Sequence, residues 1–261
     1  MKLDTYCQKT WCLGCSNFSI LEAVKRAVSE LIEEGIPREN FVLTCGIGCH
    51  GKIVDYLNLN SFYGLHGRCI ATAQGMKLAN PNLKVIAFVG DGDVYNEGIC
   101  HLIHAAKRNS DITVLVHDNR NFALTVSQFT ATSPKGFKGS STPKGSIEEP
   151  FNPLELTLAS GATFIARGYA LKIDHLKELI KKAILHKGFS FVEILQPCIT
   201  FLDNRKFYEE KIYELKNPLS KEEAQIKIKE WDYSNGEKSK IPIGIFYQIE
   251  KPTFEELIWK T

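Results

Sequence analysis

The chain has 261 residues, of which 44% are hydrophobic and 24% are charged, and its formal net charge is +2. This length suits one large domain or two small ones, and the composition is typical of a soluble globular protein. The small charge gives no reason to expect a nucleic-acid partner or an anionic membrane surface. No apolar run approaches the roughly 20 residues of a membrane span, and the first residues lack the apolar core of a signal peptide. We therefore expect a cytoplasmic protein.

Predicted strands and helices alternate along the chain. Apolar residues recur at helical spacing from Ile20 to Ile32, and the runs "FVLTC", "KVIAFVG" and "ITVLVHD" are typical of buried strands. Helical patterns, "CIATAQGMKLAN" and "NEGICHLIHAAKRN", separate these runs. After a long loop, the helices "PLELTLASG" and "IDHLKELIKKAILH" alternate with the strands "TFIARGY" and "FSFVEILQP". The alternation predicts an α/β fold with a parallel sheet and helices on both faces.

Two segments depart from this alternation. The stretch from Gln128 to Pro153 is rich in Ser, Thr, Gly, Pro and Lys, which indicates a long surface loop. Beyond Cys198 the pattern dissolves into a charged tail with one apolar piece, "IPIGIFY". The sequence therefore predicts an α/β domain over residues 1–200 and a C-terminal extension over residues 201–261.

The motif "VGDGD" ends one predicted strand, and "HDNRNF" ends the next. Ligands of open α/β sheets bind at the carboxyl ends of strands. If the two strands are near neighbours, Asp91 and Asn119 meet at one edge of the sheet. Their carboxylate and amide oxygens could bind Mg²⁺ there, and phosphate oxygens would complete its coordination. Gly90 and Gly92 allow close approach to phosphates, and a helix that begins near Asn96 would offer N–H groups to an anion. This arrangement matches the thiamine diphosphate fingerprint, in which the metal ligands correspond to Asp91, Asn119 and the carbonyl of Asn121.

Eight cysteines occur in the chain, and four have turn-like contexts. These are Cys12, Cys15, Cys49 and Cys198. A zinc site prefers paired Cys-x-x-Cys spacing, and only one such pair exists here. A redox pair would need only Cys12 and Cys15. A [4Fe–4S] cluster accepts four scattered thiolates. All three alternatives stay open on spacing alone.

The other cysteines are weaker candidates. Cys69 and Cys100 fall within predicted helices, and we expect both to be small buried residues. Cys45 ends a predicted strand and is the hardest to exclude as a ligand.

Together, the motifs resemble the beta subunit of 2-oxoacid:ferredoxin oxidoreductases, in particular the archaeal two-subunit type. The resemblance runs from Trp11 to Tyr247, through "WCLGCSNF", "GIGCHGKI", "LHGR", "GDGD", "HDNRNFALT", "LQPC" and "IPIGIFYQ". It implies CoA-dependent oxidative decarboxylation of 2-oxoacids to acyl-CoA and CO₂, with electrons passed through a [4Fe–4S] cluster to ferredoxin.

The resemblance also implies roles for individual residues. Cys12, Cys15, Cys49 and Cys198 would hold the cluster, and Lys52 would lie near the 2-oxoacid. The residues implied to line thiamine diphosphate are Ile47, Gly48, Cys49, His50, His66, Gly92, Asp93, Ala123 and Leu124. In this family the glutamate that activates thiamine comes from the alpha subunit, so we expect the chain to be inactive alone and to form a heterodimer or a dimer of heterodimers.

The chain departs from the family pattern in two places. "CLGCSN" replaces "CPGCGN", which keeps both cysteines. In "NFALTVSQ", Val126 replaces a lysine that in relatives is a charge near the substrate or coenzyme A end. Losing this positive charge would disfavour a dicarboxylic substrate. We therefore hypothesise either a bias towards less acidic 2-oxoacids, with Leu124 and Val126 near the substrate, or a divergent paralogue with reduced or altered activity.

Two other classes of protein are considered. A non-oxidative thiamine enzyme, such as a decarboxylase or carboligase, needs no cluster ligands, so the four cysteines count against it. A zinc-stabilised, non-catalytic assembly subunit would keep the cysteines but would not need Asp91, Asn119 or Lys52. Iron, sulfide and zinc analysis of the anaerobically purified complex would separate these alternatives.

Overall fold

The computed structural model describes residues 3–234 and 239–259. Eight strands in this part of the chain form one sheet, in the order β2-β1-β3-β4-β6-β5-β8-β7. Their bounds are β1 (Phe41–Cys45), β2 (Asn60–Tyr63), β3 (Lys84–Gly90), β4 (Thr113–Asp118), β5 (Phe164–Tyr169), β6 (Ser190–Leu195), β7 (Ile212–Glu214) and β8 (Ile241–Gln248). All neighbouring strands are parallel except β5 and β8, which are antiparallel.

Helices cover both faces of this sheet. They are α1 (Asn17–Glu33), α2 (Cys69–Ala79), α3 (Ile99–Arg108), α4 (Pro153–Ala159), α5 (Ile173–Leu185), α6 (Arg205–Lys211), α7 (Lys221–Ile228) and α8 (Phe254–Trp259). Leu115 of β4 packs in the same core as α1 and α5, whereas its neighbours Val114 and Val116 pack with α2, α3 and α4. Alternate residues of a strand point to opposite faces, so the predicted parallel sheet with helices on both faces is confirmed. None of the described helices is long and apolar enough to cross a membrane.

The region beyond Cys198 is structured, and the prediction of a dissolving charged tail was wrong. Strand β8 pairs with β5 within the main sheet, and a third core forms around Tyr208, Trp231 and Tyr233. The prediction failed because α7 is highly charged and buries few residues, so its helical pattern is weak. The domain boundary near residue 200 stays a prediction.

The C-terminal region covers a buried ion pair between two strands of the sheet. Arg167 of β5 donates to Glu193 of β6 at 2.7 Å, and both side chains are fully buried. Tyr233 donates a hydrogen bond to the same carboxylate, and the guanidinium lies 4.9 Å from the Trp231 ring centre. Residues 231–233 therefore form part of the enclosure of this pair.

Two local predictions also need correction. The helix expected to begin near Asn96 is preceded by a π-helical turn, Gly92–Glu97, that starts directly after Asp91, while α3 begins at Ile99. π-helical turns are frequent at functional sites. Cys100 is exposed and not buried as expected, because it lies on the outer side of α3.

Candidate active site

Two cavities open at the carboxyl ends of the parallel strands. The first, named here the GDG cavity, follows the ends of β1, β3, β4 and β6. Its lining includes every residue predicted to contact thiamine diphosphate or Mg²⁺: Ile47, Gly48, Cys49, His50, His66, Asp91, Gly92, Asp93, Asn119, Asn121, Ala123 and Leu124. The two motifs meet there because β3 and β4 are adjacent, with Gly90 opposite His117. Juxtaposition makes the predicted roles possible, and the roles themselves stay predictions.

Asp91 is held by hydroxyl groups from the long loop that follows β4. The Thr130 hydroxyl donates to Asp91 Oδ2 at 2.6 Å, and Thr132 donates to Asp118 Oδ1 at 2.9 Å. Burial raises the pKa of Asp91, and burial together with the charge of Asp91 raises the pKa of Asp118. A divalent cation would compensate such a concentration of buried carboxylate charge.

The turn after β4 brings its amide groups to the same cavity. Asn119 Oδ1 accepts from the Asn121 backbone N–H at 3.1 Å, and Asn121 Nδ2 donates to the Asn119 carbonyl at 2.8 Å. Asn121 Oδ1 is buried with no hydrogen-bond partner in the described chain. A buried oxygen without a donor is unfavourable unless a ligand supplies one or a cation binds it, so this donor set fits a magnesium diphosphate.

Asp93 organises the walls of the GDG cavity. Its Oδ1 accepts from Gly67 N–H at 2.8 Å and Ile47 N–H at 3.3 Å, and His66 Nδ1 lies 3.1 Å away. Burial alone would raise the pKa of Asp93, but His50 and His66 beside it outweigh that effect and hold this pKa well below its usual range. The ionised carboxylate thus ties three loops together and raises the pKa of His66.

Neighbouring side chains pack so closely against the motif glycines that a Cβ atom has no room. A Cβ atom on Gly92 would lie 2.2 Å from the Phe122 ring, and one on Gly90 would lie 2.6 Å from His50. A larger residue at either position would force one of these rings, both of which line the GDG cavity, to move, and the glycines also allow a close approach to phosphates.

The second cavity, named here the cysteine cavity, is lined by Cys12, Cys15, Cys49 and Cys198. Three contacts gather these distant segments. Trp11 Nε1 donates to the Cys49 carbonyl at 2.7 Å, and the Ser16 hydroxyl donates to the Pro197 carbonyl at 2.9 Å. Thr200 Oγ1 lies 3.6 Å from Cys12 Sγ. The four cysteines grouped by sequence context thus share one cavity, whereas Cys45 does not line it.

The chemistry of these thiols limits what they can hold. Burial raises the pKa of Cys15, and it raises the pKa of Cys49 to about 11. A thiol with a raised pKa is a poor redox nucleophile at neutral pH. No group of three or more His, Cys, Asp or Glu side chains in residues 3–234 and 239–259 is arranged to hold a metal ion. The four thiols line one cavity, and a [4Fe–4S] cluster in that cavity would bind them as thiolates.

Of the three predicted substrate residues, Leu124 lines both cavities, Lys52 lines one and Val126 lines neither. Lys52 lines the cysteine cavity, where Nζ donates to the Thr10 carbonyl at 3.3 Å. Val126 lines neither cavity; it is 62% exposed, on a turn where its φ is +70°. A left-handed conformation is unusual for a β-branched residue.

Five residues line both cavities. They are Cys49, Asn119, Ala123, Leu124 and Gln196. The two cavities therefore share a wall, and a ligand in one lies against the same side chains as a ligand in the other.

Sequence reasoning missed several residues of the site. These are His117, Phe122, Thr125 and Gln196 of the GDG cavity and the two threonines near Asp91. His117 and Gln196 directly end or follow strands that the sequence did predict, so their positions at the carboxyl edge offered a signal. The sequence contained no such signal for Thr130 and Thr132, because local residue spacing does not show where a long loop comes back to the site.

Family models match most of the chain. The C-terminal thiamine pyrophosphate-binding domain of thiamine pyrophosphate enzymes matches residues 46–194, and the C-terminal part of the pyruvate ferredoxin oxidoreductase beta subunit matches residues 198–261.

Several proteins are similar over almost the whole chain. The beta subunit of a 2-oxoacid:ferredoxin oxidoreductase from Sulfolobus sp is 44% identical, covering 95% of this chain and 85% of its own length. The corresponding subunit from Saccharolobus solfataricus is 42% identical over the same shares. A solved 2-oxoglutarate:ferredoxin oxidoreductase from Magnetococcus marinus, with 2-oxoglutarate, coenzyme A and succinyl-CoA bound, is 33% identical and superimposes with a TM-score of 0.92, covering 99% of this chain and 87% of that chain.

Proposed function

Because the chain belongs to the beta subunits of 2-oxoacid:ferredoxin oxidoreductases, we propose that it acts with an alpha subunit in CoA-dependent oxidative decarboxylation of 2-oxoacids. The products are acyl-CoA and CO₂, and ferredoxin receives the electrons. The observation that carries this proposal is the shared wall between the GDG cavity and the cysteine cavity. An oxidative enzyme needs its electron source and acceptor close together, whereas a non-oxidative thiamine enzyme does not need the second cavity.

The GDG cavity is the proposed site for thiamine diphosphate. Asp91, Asn119 and the Asn121 carbonyl would hold Mg²⁺, and the metal would bind the diphosphate. Thiamine, when bound, supplies the electron sink for decarboxylation. The chain's own residues orient it: Thr130 fixes the Asp91 carboxylate, and Asp93 fixes the Ile47 and Gly67 loops.

The cysteine cavity is the proposed site for a [4Fe–4S] cluster with Cys12, Cys15, Cys49 and Cys198 as ligands. Cys12 is exposed and Cys49 belongs to the shared wall, so the proposed cluster would extend from the surface to that wall. Ferredoxin would approach from the exposed side. Cys49 belongs to both cavities, which gives electrons a short path between them.

Two observations support the need for an alpha subunit. The residues that line the GDG cavity in the described chain include no glutamate, so the acid that activates thiamine would come from another chain. Large apolar side chains also remain exposed on the loops that carry site residues, namely Leu13, Ile47, Leu65, Leu124 and Val126. Exposed apolar groups of this kind mark an interaction surface.

Co-expression with the alpha subunit and anaerobic purification test this function. We expect a brown complex with iron and sulfide, and 2-oxoacid-dependent, CoA-dependent reduction of ferredoxin that this chain alone does not support. A colourless complex with stoichiometric zinc and no activity would contradict the proposal and favour the assembly subunit. CO₂ release without ferredoxin reduction would favour a non-oxidative thiamine enzyme.

We extend the proposal to substrate choice through Val126. The absent lysine charge would favour pyruvate and 2-oxobutyrate over 2-oxoglutarate, and Val126→Lys is expected to raise kcat/KM for 2-oxoglutarate relative to pyruvate. Steady-state rates of the complex with the three substrates provide the measurement. A wild-type preference for 2-oxoglutarate would contradict the idea, and low rates with all three would indicate a divergent paralogue.

A further inference from the structure

One polar side chain in the shared wall has no role in the function described above. Gln196 directly follows β6, is only 2% exposed, and lines both the GDG cavity and the cysteine cavity. Its backbone N–H donates to the Asp118 carbonyl at 2.9 Å, which fixes the residue beside the end of β4. The side chain is therefore held between the two cavities by the sheet itself.

The two ends of the Gln196 amide have different surroundings. Nε2 lies 3.9 Å from Cys15 Sγ, within hydrogen-bond range for a sulfur acceptor. A thiolate can accept hydrogen bonds and cannot donate them, so the N–H₂ end must face the sulfur. The other end, Oε1, is buried and has no hydrogen-bond partner in the described residues. Such an oxygen calls for a donor, and the adjacent GDG cavity is where a ligand can supply one.

We propose that Gln196 is a positioning residue that couples the two cofactor sites through the two ends of one amide. Its N–H donates to the Cys15 thiolate of the cluster, and its carbonyl oxygen accepts a hydrogen bond from the molecule bound in the GDG cavity. This inference rests on the proposed function, because it requires both cofactors. Hydrogen bonds to cluster sulfurs set the reduction potential, and a donor stabilises the more negative, reduced cluster.

The coupling is reciprocal in binding terms. If the bound molecule orients the amide towards Cys15, it makes the cluster easier to reduce, and reduction of the cluster tightens binding in the GDG cavity by the same factor. Electron acceptance would then be favoured only while the cofactor is in place.

The chain offers a matched control on the other side of the cluster site. The Thr200 hydroxyl lies 3.6 Å from Cys12 Sγ, but Thr200 lines only the cysteine cavity. Removing this hydroxyl removes a sulfur contact without touching the GDG cavity. A merely structural effect on the cluster would appear in both variants, whereas coupling appears only at Gln196.

The test uses the alpha–beta complex with Gln196→Leu, Gln196→Glu or Thr200→Val. The midpoint potential of the cluster is measured by titration followed by electron paramagnetic resonance, and thiamine diphosphate affinity by fluorescence quenching.

We expect Gln196→Leu to lower the reduction equilibrium constant about tenfold, equivalent to 59 mV for one electron, and to weaken thiamine diphosphate binding. Gln196→Glu keeps an acceptor oxygen but replaces the N–H₂ group by a negatively charged oxygen, so it should lower the potential at least as much and retain most of the affinity. Thr200→Val should lower the potential only.

Unchanged potentials in both Gln196 variants would overturn the inference, as would equal losses of thiamine diphosphate affinity in Gln196→Leu and Thr200→Val. If Gln196→Leu does not take up the cluster, the nearly isosteric Gln196→Glu carries the test. A wild-type complex without iron and sulfide would refute the proposed function itself, whereas a loaded wild type with unaltered variants would refute only the coupling.

Discussion

The two cavities are built in different ways although they share a wall. The GDG cavity is prepared by the protein: Thr130 binds Asp91, and Asp93 binds the backbones of Ile47 and Gly67. The thiols of the cysteine cavity receive weaker sulfur contacts, from Thr200 to Cys12 and from Gln196 and Asn17 to Cys15. A site for an exchangeable organic cofactor can be preorganised in this way, whereas a cluster site acquires much of its order from the bonds to the metal.

Loss of one cofactor without the other is the largest effect that this contrast predicts. Asp91→Asn should weaken Mg²⁺-dependent thiamine diphosphate binding by more than about 100-fold and keep the iron. Cys198→Ser should lose most of the iron and keep thiamine diphosphate binding. Iron analysis and isothermal titration calorimetry of the complex provide the two measurements.

Cys100→Ser, at an exposed position, is the control for the loss of a thiol as such. It should change neither the iron content nor thiamine diphosphate binding. Simultaneous loss of both cofactors in either site variant would break the contrast, because the two cavities would then form one folding unit.

Removal of the cluster should increase the difference in backbone hydrogen-exchange protection between the two cavities. Chelation of iron should increase hydrogen exchange around residues 7–16 and 198–204 by at least about tenfold, corresponding to 1.4 kcal/mol of local opening free energy. The turns at residues 91–93 and 119–121 should exchange as before, because protein hydrogen bonds hold them. Equal increases in all four segments would contradict the idea that only the cysteine cavity depends on its metal.

The preorganisation of the GDG cavity can be weakened through Thr130. Thr130→Val removes the hydroxyl that donates to Asp91 Oδ2 at 2.6 Å, and we expect about a tenfold loss of Mg²⁺ affinity with about 1–3 kcal/mol lower stability. Thr142→Val is a control in the same loop, since Thr142 donates to the Phe137 carbonyl at 2.9 Å away from the site. Equal effects of the two variants on Mg²⁺ affinity would show that the loop acts as a whole.

The smallest predicted effect concerns pH. Hydrogen bonding to Asp93 raises the pKa of His66, so its ion pair contributes full stability below the ordinary histidine pKa of about 6.5 and loses it as the pH rises through the raised value. The difference in unfolding free energy between wild type and His66→Gln should therefore shrink as the pH rises from below about 6.5 through the raised pKa of His66.

For His101→Gln the unfolding free energy of the wild type relative to the variant should instead rise with pH. Burial lowers the pKa of His101, so its protonation opposes folding. Urea denaturation at several pH values provides the measurement. A pH-independent effect of His66→Gln would mean that its imidazole contributes packing and not charge.

Sequence patterns predicted most of the sheet because its strands are short buried runs bounded by glycine and polar residues. They also placed Asp91 and Asn119 together, since motifs at successive strand ends must meet at one edge, whereas most of the other lining residues were implied by the family resemblance. They could not predict the antiparallel β8 or the core around Trp231, which depend on pairing between distant segments. The same limit hid Thr130 and Gln196, whose partners lie 39 and 181 residues away.

The pairing of β8 with β5 also has a consequence for the order of events during synthesis. Residues 241–248 leave the ribosome last among the strands, yet they cover one edge of β5 and, with residues 231–233, enclose the Arg167–Glu193 pair. Until they arrive, the nascent chain presents an apolar strand with an open edge, which is a template for aggregation. A ribosome that stalls before residue 241 would therefore hold an intermediate that depends on chaperones, even though both cofactor cavities have already been translated.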